Sequence, residues 1–240
     1  MVKFKAVFFD FGGTLFNYYP PNEEIWAKVA KEFGVEISSS DSSLIRAMVN
    51  QGIEFERTLM GPPPKKGSEF TRDDWDRFNR NMLLAIGIDS KDAVKRVQEL
   101  FKEREGRYEI FDGCKKTLEI LKLMNIRMGI ISNSNSTLSK FRRNILKANG
   151  ILKYFEVIIL SSEVGIEKPD QRIFKLALDR MDIKNPNEVI YIGDNYYVDA
   201  IASKKAGMIP ILFDPYGIRD VECLKIDHLT MIPQIIRSLD

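Results

Sequence analysis

Cysteine and histidine are scarce in this chain: two cysteines, Cys114 and Cys223, and one histidine, His228, in 240 residues. The cysteines are far apart and outside any CxxC pattern, which argues against a disulfide framework or a zinc site and leaves two buried, reduced thiols as the simpler reading. A dominant charge is missing too. With 36 basic and 34 acidic residues the formal charge is +2, too weak to argue for nucleic acid or a membrane surface as partner. No long apolar run occurs at the start, because the run in MVKFKAVFFD breaks at Asp10, so it reads as neither signal peptide nor membrane span. A cytoplasmic location is expected. Internal repeats and low-complexity tracts are absent. What the chain does contain is core-forming material, 44% hydrophobic, enough for one large domain or a domain carrying a smaller one.

Short β-rich apolar runs recur at Phe4 to Phe9, Met128 to Ile131, Val157 to Leu160, Val189 to Ile192 and Ile209 to Phe213, each fitting a buried strand. Helical spacing separates the later ones. Leu138, Phe141, Ile145 and Ala148 recur before Gly150, and Ile173, Phe174, Ala177 and Met181 after Pro169. Alternating strands and helices predict an α/β fold: a Rossmann-like, doubly wound parallel sheet with helices on both faces. Residues 17–107 break that pattern. They contain no convincing strand and read as four amphipathic helices, Asn22 to Phe33, Ser40 to Leu59, Thr71 to Ile86 and Ser90 to Glu105, with Thr71 and Asp74 at capping-box spacing. The segment GPPPKKG, Gly61 to Gly67, reads as a stiff linker. The expected organisation is a core of residues 1–16 and 108–240 with an inserted α-helical cap, 17–107, whose two chain crossings would act as a hinge.

Open α/β sheets bind ligands at the carboxyl ends of their strands, so the residues just past each run are the candidates for a site. Asp10, Gly12, Gly13 and Thr14 come after the first, Ser132 and Asn133 after the second, then EKPD with Lys168, then IGDNYYVD with Asp194 and Asp199. Taken singly, such residues serve as caps and turns. Together, at successive strand ends, they specify a phosphate or metal site. FFDFGGTLF, IISNS, KPDQRIF and YIGDNYYVD match in order and spacing the motifs of the haloacid dehalogenase-like superfamily, which the chain resembles along its whole length.

That resemblance implies a hydrolase, most simply a magnesium-dependent phosphatase acting on a small phosphorylated molecule, with no oligomeric state specified. Asp10 would be the nucleophile, and Mg2+ would be held by Asp10, the main-chain carbonyl of Gly12, and Asp194. Thr14, Ser132, Asn133 and Lys168 would bind the phosphate, Lys168 also keeping Asp10 ionised, while Asp199 would orient Lys168 or water. His228, in IDHLTMIPQII, resembles part of the closing strand and helix and reads as structural or surface. Tyr18, Tyr19, Tyr196 and Tyr197 flank the catalytic loops and either line the cleft or pack.

The departure is Gly12. In the family's phosphatases a second Asp stands there and moves the proton to and from the leaving oxygen. Glycine keeps the backbone ligand and removes that carrier. This opens two alternatives: a 2-haloacid dehalogenase-type hydrolase, against which the two carboxylates of GDNYYVD argue, and a weakly active or non-catalytic binding module. A dinucleotide binder is disfavoured because no GxGxxG stands after the first strand.

Overall fold

The computed structural model describes residues 4–59 and 71–239, so the GPPPKKG linker lies outside the described residues. Strands are β1 (Ala6–Phe9), β2 (Phe16–Tyr18), β3 (Tyr108–Ile110), β4 (Arg127–Ser132), β5 (Val157–Leu160), β6 (Val189–Gly193), β7 (Ile209–Phe213) and β8 (Leu224–Ile226). The helices of the first half are α1 (Asn22–Glu32), α2 (Ser42–Leu59), α3 (Arg72–Ala85) and α4 (Lys91–Glu103). In the second half are α5 (Cys114–Leu123), α6 (Ser136–Ala148), α7 (Ser161–Val164), α8 (Gln171–Arg180), α9 (Ala202–Lys205) and α10 (Ile232–Leu239). None is long and apolar enough to cross a membrane among the described residues.

Six strands form one parallel sheet in the order β5-β4-β1-β6-β7-β8. The chain runs outward from β1 through β4 to β5, then returns to β6 on the other side of β1, which places the topological switch at the centre of the sheet. Period-two alternation explains the two cores. Val7, Phe9, Ile130 and Ile192 face one side with Leu118, Leu146 and Ile236 of α5, α6 and α10. Ala6, Phe8, Ile131 and Tyr191 face the other with Phe174 and Ala177 of α8. The sheet is therefore doubly wound, as the strand and helix alternation predicts.

The chain divides into two compact units, Met1–Asn17 with Tyr108–Asp240, and Tyr18–Arg107. In the second, α1, α3 and α4 bury Trp26, Met82, Leu83, Val97 and Leu100 together. Thr71 and Asp74 make the reciprocal capping box at the start of α3, and the Ser90 hydroxyl accepts from the Ala93 N–H to cap α4.

Three details differ from the expectations above. A two-stranded ribbon, β2 with β3, lies at residues that showed no strand signal, because three-residue strands are too short to display a period. The buried face of α6 is Ser139, Arg142 and Leu146, whereas Phe141 is 41% exposed. An apolar stripe misplaces that face because the polar residues turned inward have partners there. Cys223 is only half-buried, unlike Cys114. Asn135 caps α6, accepting from the Leu138 N–H at 2.8 Å.

Candidate active site

Asp10 is the first residue past β1 and is nearly buried, its backbone N–H donating to the Ile192 carbonyl of β6 at 2.8 Å. Across from it comes Lys168, from the loop between α7 and α8. The Lys168 Nζ donates to Asp10 Oδ1 at 2.7 Å, to Asp199 Oδ1 at 2.6 Å and to the Tyr191 hydroxyl at 2.9 Å. An ammonium has three protons, and these three acceptors engage all of them. Burial opposes the charge, but the Asp10 and Asp199 carboxylates outweigh it and raise the Lys168 pKa above that of an ordinary lysine. The ammonium is thus a fixed cation rather than a proton donor.

Asp199 lies on a π-helical turn, Tyr196–Ile201, whose first residue comes directly after the capping Asn195. Burial raises its carboxyl above the usual carboxylate range although Lys168 pulls it down, and Lys168, the Tyr191 hydroxyl at 3.1 Å and the Asn195 N–H at 3.0 Å converge on its two oxygens. The approach is close: a Cβ on Gly193 would lie 2.3 Å from Asp199 Cγ, so only glycine fits there. Gly13 has the same duty toward Asp194. Its φ is +79°, and an added Cβ would lie 2.4 Å from Asp194 Oδ2. The Thr14 hydroxyl, expected on phosphate, is directed at Asp194 Oδ1, 3.3 Å away.

The third loop comes after β4. The Asn133 side chain accepts from the Lys168 N–H at 2.8 Å and donates to the Lys168 carbonyl at 2.9 Å, so it clamps the lysine's backbone from both sides. Arg142 of α6 reaches back to the same loop. One Nη donates to Ser132 Oγ at 2.8 Å and to the Asn133 carbonyl at 2.7 Å, and the guanidinium lies 4.9 Å over the Phe11 ring. Arg142 is 5% exposed, and it forms no ion pair among the described residues. A hydroxyl that accepts from a guanidinium must aim its own proton elsewhere, which makes Ser132 a donor.

Tyr191 and Arg142 are the two participants that the sequence reading passed over. Each carries a weak signal: Tyr191 is a polar-tipped aromatic inside a buried aliphatic strand, and Arg142 is a charge at helical spacing from Ser139 and Leu146. Tyr196 and Tyr197 pack edge to face at 5.2 Å, and His228 caps a short turn through the Thr230 N–H.

One oxygen of each of Asp10, Asp194 and Asp199 lies within 4.8 Å of the others. Hard oxygen donors so gathered suit Mg2+ or a similar cation. Both Asp199 oxygens, however, are already hydrogen bonded to Lys168, Tyr191 and Asn195, which leaves Asp10 and Asp194 as the fitting pair.

A carboxylate at the switch point of the sheet, a buried lysine and an acidic loop stand together at the strand ends. The chain belongs to the haloacid dehalogenase-like hydrolase family, whose model matches residues 4–207. It is 29% identical to the glyceraldehyde 3-phosphate phosphatase of Methanothermobacter thermautotrophicus, covering 87% of this chain and 84% of that protein. It is 25% identical to the ribulose-1,5-bisphosphate 5-phosphatase of Halopiger xanaduensis over 88% and 84% of the two chains. Among solved structures, the HAD hydrolase YfnB of Bacillus subtilis, bound to magnesium, superposes with a TM-score of 0.63 at 16% identity, covering 97% and 98%. A 2-haloacid dehalogenase from Pseudomonas syringae gives 0.56 at 22%, covering 99% and 100%; both likenesses are of fold.

Proposed function

We propose that the protein is a divalent-metal-dependent phosphatase of small phosphorylated molecules, with residues 17–107 as its cap domain. The observation that carries this reading is the buried Lys168 ammonium bonded to Asp10, beside a second carboxylate, Asp194, within reach of the same cation. The names of the relatives, phosphatases of three- and five-carbon sugar phosphates, support it. A bound magnesium would supply charge neutralisation between an anionic nucleophile and an anionic substrate. Asp10, Asp194 and the main-chain carbonyl of Gly12 would hold it.

The Asp10 oxygen not bonded to Lys168 attacks phosphorus in line, and the bond from phosphorus to the substrate oxygen breaks as the aspartyl-phosphate forms. Water then attacks phosphorus, the aspartyl bond breaks, and inorganic phosphate leaves with Asp10 regenerated. Ser132 donates to an equatorial oxygen through the proton that Arg142 turns outward, and the main-chain amide of Asn133 supports it. Lys168 holds the Asp10 carboxylate in place between turnovers.

Within the core cluster, no side chain among the described residues is placed to give the leaving oxygen a proton. Gly12 has none to give, and each Lys168 proton is held by a stronger claimant. Aryl and acyl phosphates, whose leaving groups need no proton, are therefore the better substrates. The deciding assay is p-nitrophenyl phosphate against 2-haloacids, each with magnesium and with chelator. Chelator-sensitive phosphate release is expected; halide release instead, or silence on both, would overturn the reading.

A further inference from the structure

The helical unit contains a cavity of about 470 Å³ that the chemistry above does not use. Its volume is in the range of small-molecule sites. Tyr18, Trp75, Phe78 and Phe101 provide ring walls, with Asn22, Asn79 and Arg104 among the polar lining. The wall is continuous with packed aromatics: Trp75 meets Phe78 at 6.2 Å and Phe55 at 4.9 Å, and Trp26 backs Phe101 at 5.6 Å. Trp75 remains 47% exposed at the rim.

Two polar residues give the cavity its character. Arg104 is nearly buried, stacked 4.8 Å from the Tyr18 ring and 4.6 Å from the Phe101 ring, and it donates to the Pro20 carbonyl at 2.9 Å and to Asn22 Oδ1 at 2.5 Å. It fixes two ring walls and places a positive charge among them. Among the described residues no lining residue is acidic, which argues against a cage for a cation. Asn79, on α3, is 3% exposed, and its carboxamide makes no hydrogen bond among the described residues. Buried polar groups are normally satisfied, and a carboxamide is both donor and acceptor. Asn79 lines the cavity.

We propose that this cavity binds a planar, uncharged heterocycle that presents a donor and an acceptor side by side, as a nucleobase does. The ring would stack against the Trp75 and Phe78 wall, and Asn79 would read the edge in the two-bond pairing an amide makes with adenine. The site lies wholly within residues 18–107 and depends on neither the metal nor Asp10.

The test uses the whole protein and Trp75 as reporter, with adenosine as probe and purine riboside, which has the same rings without the exocyclic amine, as its control. Adenosine is expected to quench tryptophan emission saturably, and Trp75→Leu to abolish the signal. Purine riboside, and the Asn79→Leu variant with adenosine, are each expected to bind at least about tenfold more weakly, the cost of losing one bidentate pair. Asn79→Leu should melt no lower than the parent, since it removes a buried group without a partner. Absence of saturable quenching, equal binding by Asn79→Leu, equal binding of purine riboside, or a lowered melting temperature in Asn79→Leu would each overturn the proposal. Phosphatase turnover is not part of the readout, so failure here leaves the active-site reading standing.

Discussion

Lys168 and Asp199 make the tightest ion pair of the buried cluster, Nζ to Oδ1 at 2.6 Å with both side chains 2% exposed. Asp199 thereby sets where the ammonium stands relative to Asp10, and its own oxygens are withdrawn from any metal. Lys168→Met would leave two buried carboxylates without their cation. Loss of one partner from a buried pair costs about 3–5 kcal/mol, so urea unfolding should show a drop of that order. The loss should shrink as pH falls, because protonating one carboxylate relieves the repulsion. Turnover should fall by about a hundredfold to a thousandfold. An unchanged unfolding midpoint at neutral pH would contradict this charge balance.

Gly12 makes a second outcome specific. Gly12 does not take the positive φ that Gly13 adopts, so its φ does not itself demand glycine. With no acid in the cluster, log kcat should fall steeply as the leaving group becomes more basic across a series from aryl to alkyl phosphates. Gly12→Asp should flatten that slope and raise alkyl phosphate hydrolysis by about a hundredfold or more, the usual worth of acid-base assistance. A flat slope in the parent enzyme would reveal a proton donor from elsewhere.

The sheet was legible because its strands are unbroken aliphatic runs bounded by turn residues, and such runs have few other uses. The ends of those runs were legible for the same reason: Asp10, Ser132 and Asp194 each stand at or just past the end of a β-rich stretch. Tyr191 was not, since nothing in VIYIG distinguishes a tyrosine that fills a core from one whose hydroxyl meets a lysine 23 residues upstream. Arg142 escaped for a related reason. A helix face is inferred from its apolar residues, and α6 turns polar ones inward because Ser132, Asn133 and the Phe11 ring receive them. The neighbour that the Thr14 hydroxyl meets depended on a side-chain direction, which spacing does not encode.

Arg142 holds the Ser132 hydroxyl, so under the proposed chemistry its variants have a signature. Arg142→Met frees the Ser132 hydroxyl to rotate and removes a cation beside the loop. KM for p-nitrophenyl phosphate and the inhibition constant of inorganic phosphate should both rise, by about tenfold, the worth of one charge-assisted hydrogen bond. Arg142→Lys should recover part of both, since a cation remains. If Arg142 served packing alone, melting temperature would fall in both variants while the phosphate constant stayed put, so parallel calorimetry and inhibition assays separate the two roles.

Stability should decline on the alkaline side for a reason that can be assigned. Burial pushes the Cys114 thiol from 9.0 up to about 12, and the Tyr191 hydroxyl is raised well above 10.0 by burial and the nearby carboxylates. Lys168 is raised as well, by Asp10 and Asp199 against the opposing effect of burial. In each case the folded state keeps its proton to higher pH than the unfolded chain does. A raised folded pKa contributes stability that is complete below the unfolded value and is lost as pH climbs toward the folded one. Cys114 has the lowest unfolded pKa of the three, so its share begins to go near pH 9 and is exhausted near pH 12. Between about pH 8 and pH 10 that share amounts to roughly 1 kcal/mol, while Tyr191 and Lys168 contribute mostly above this window. Cys114→Ala should be less stable than the parent at neutral pH, because it leaves a cavity beside Leu118, yet should lose less stability over the same pH interval. Urea unfolding of both proteins at the two pH values measures the difference, and parallel losses would show that Cys114 does not hold its proton in the folded state.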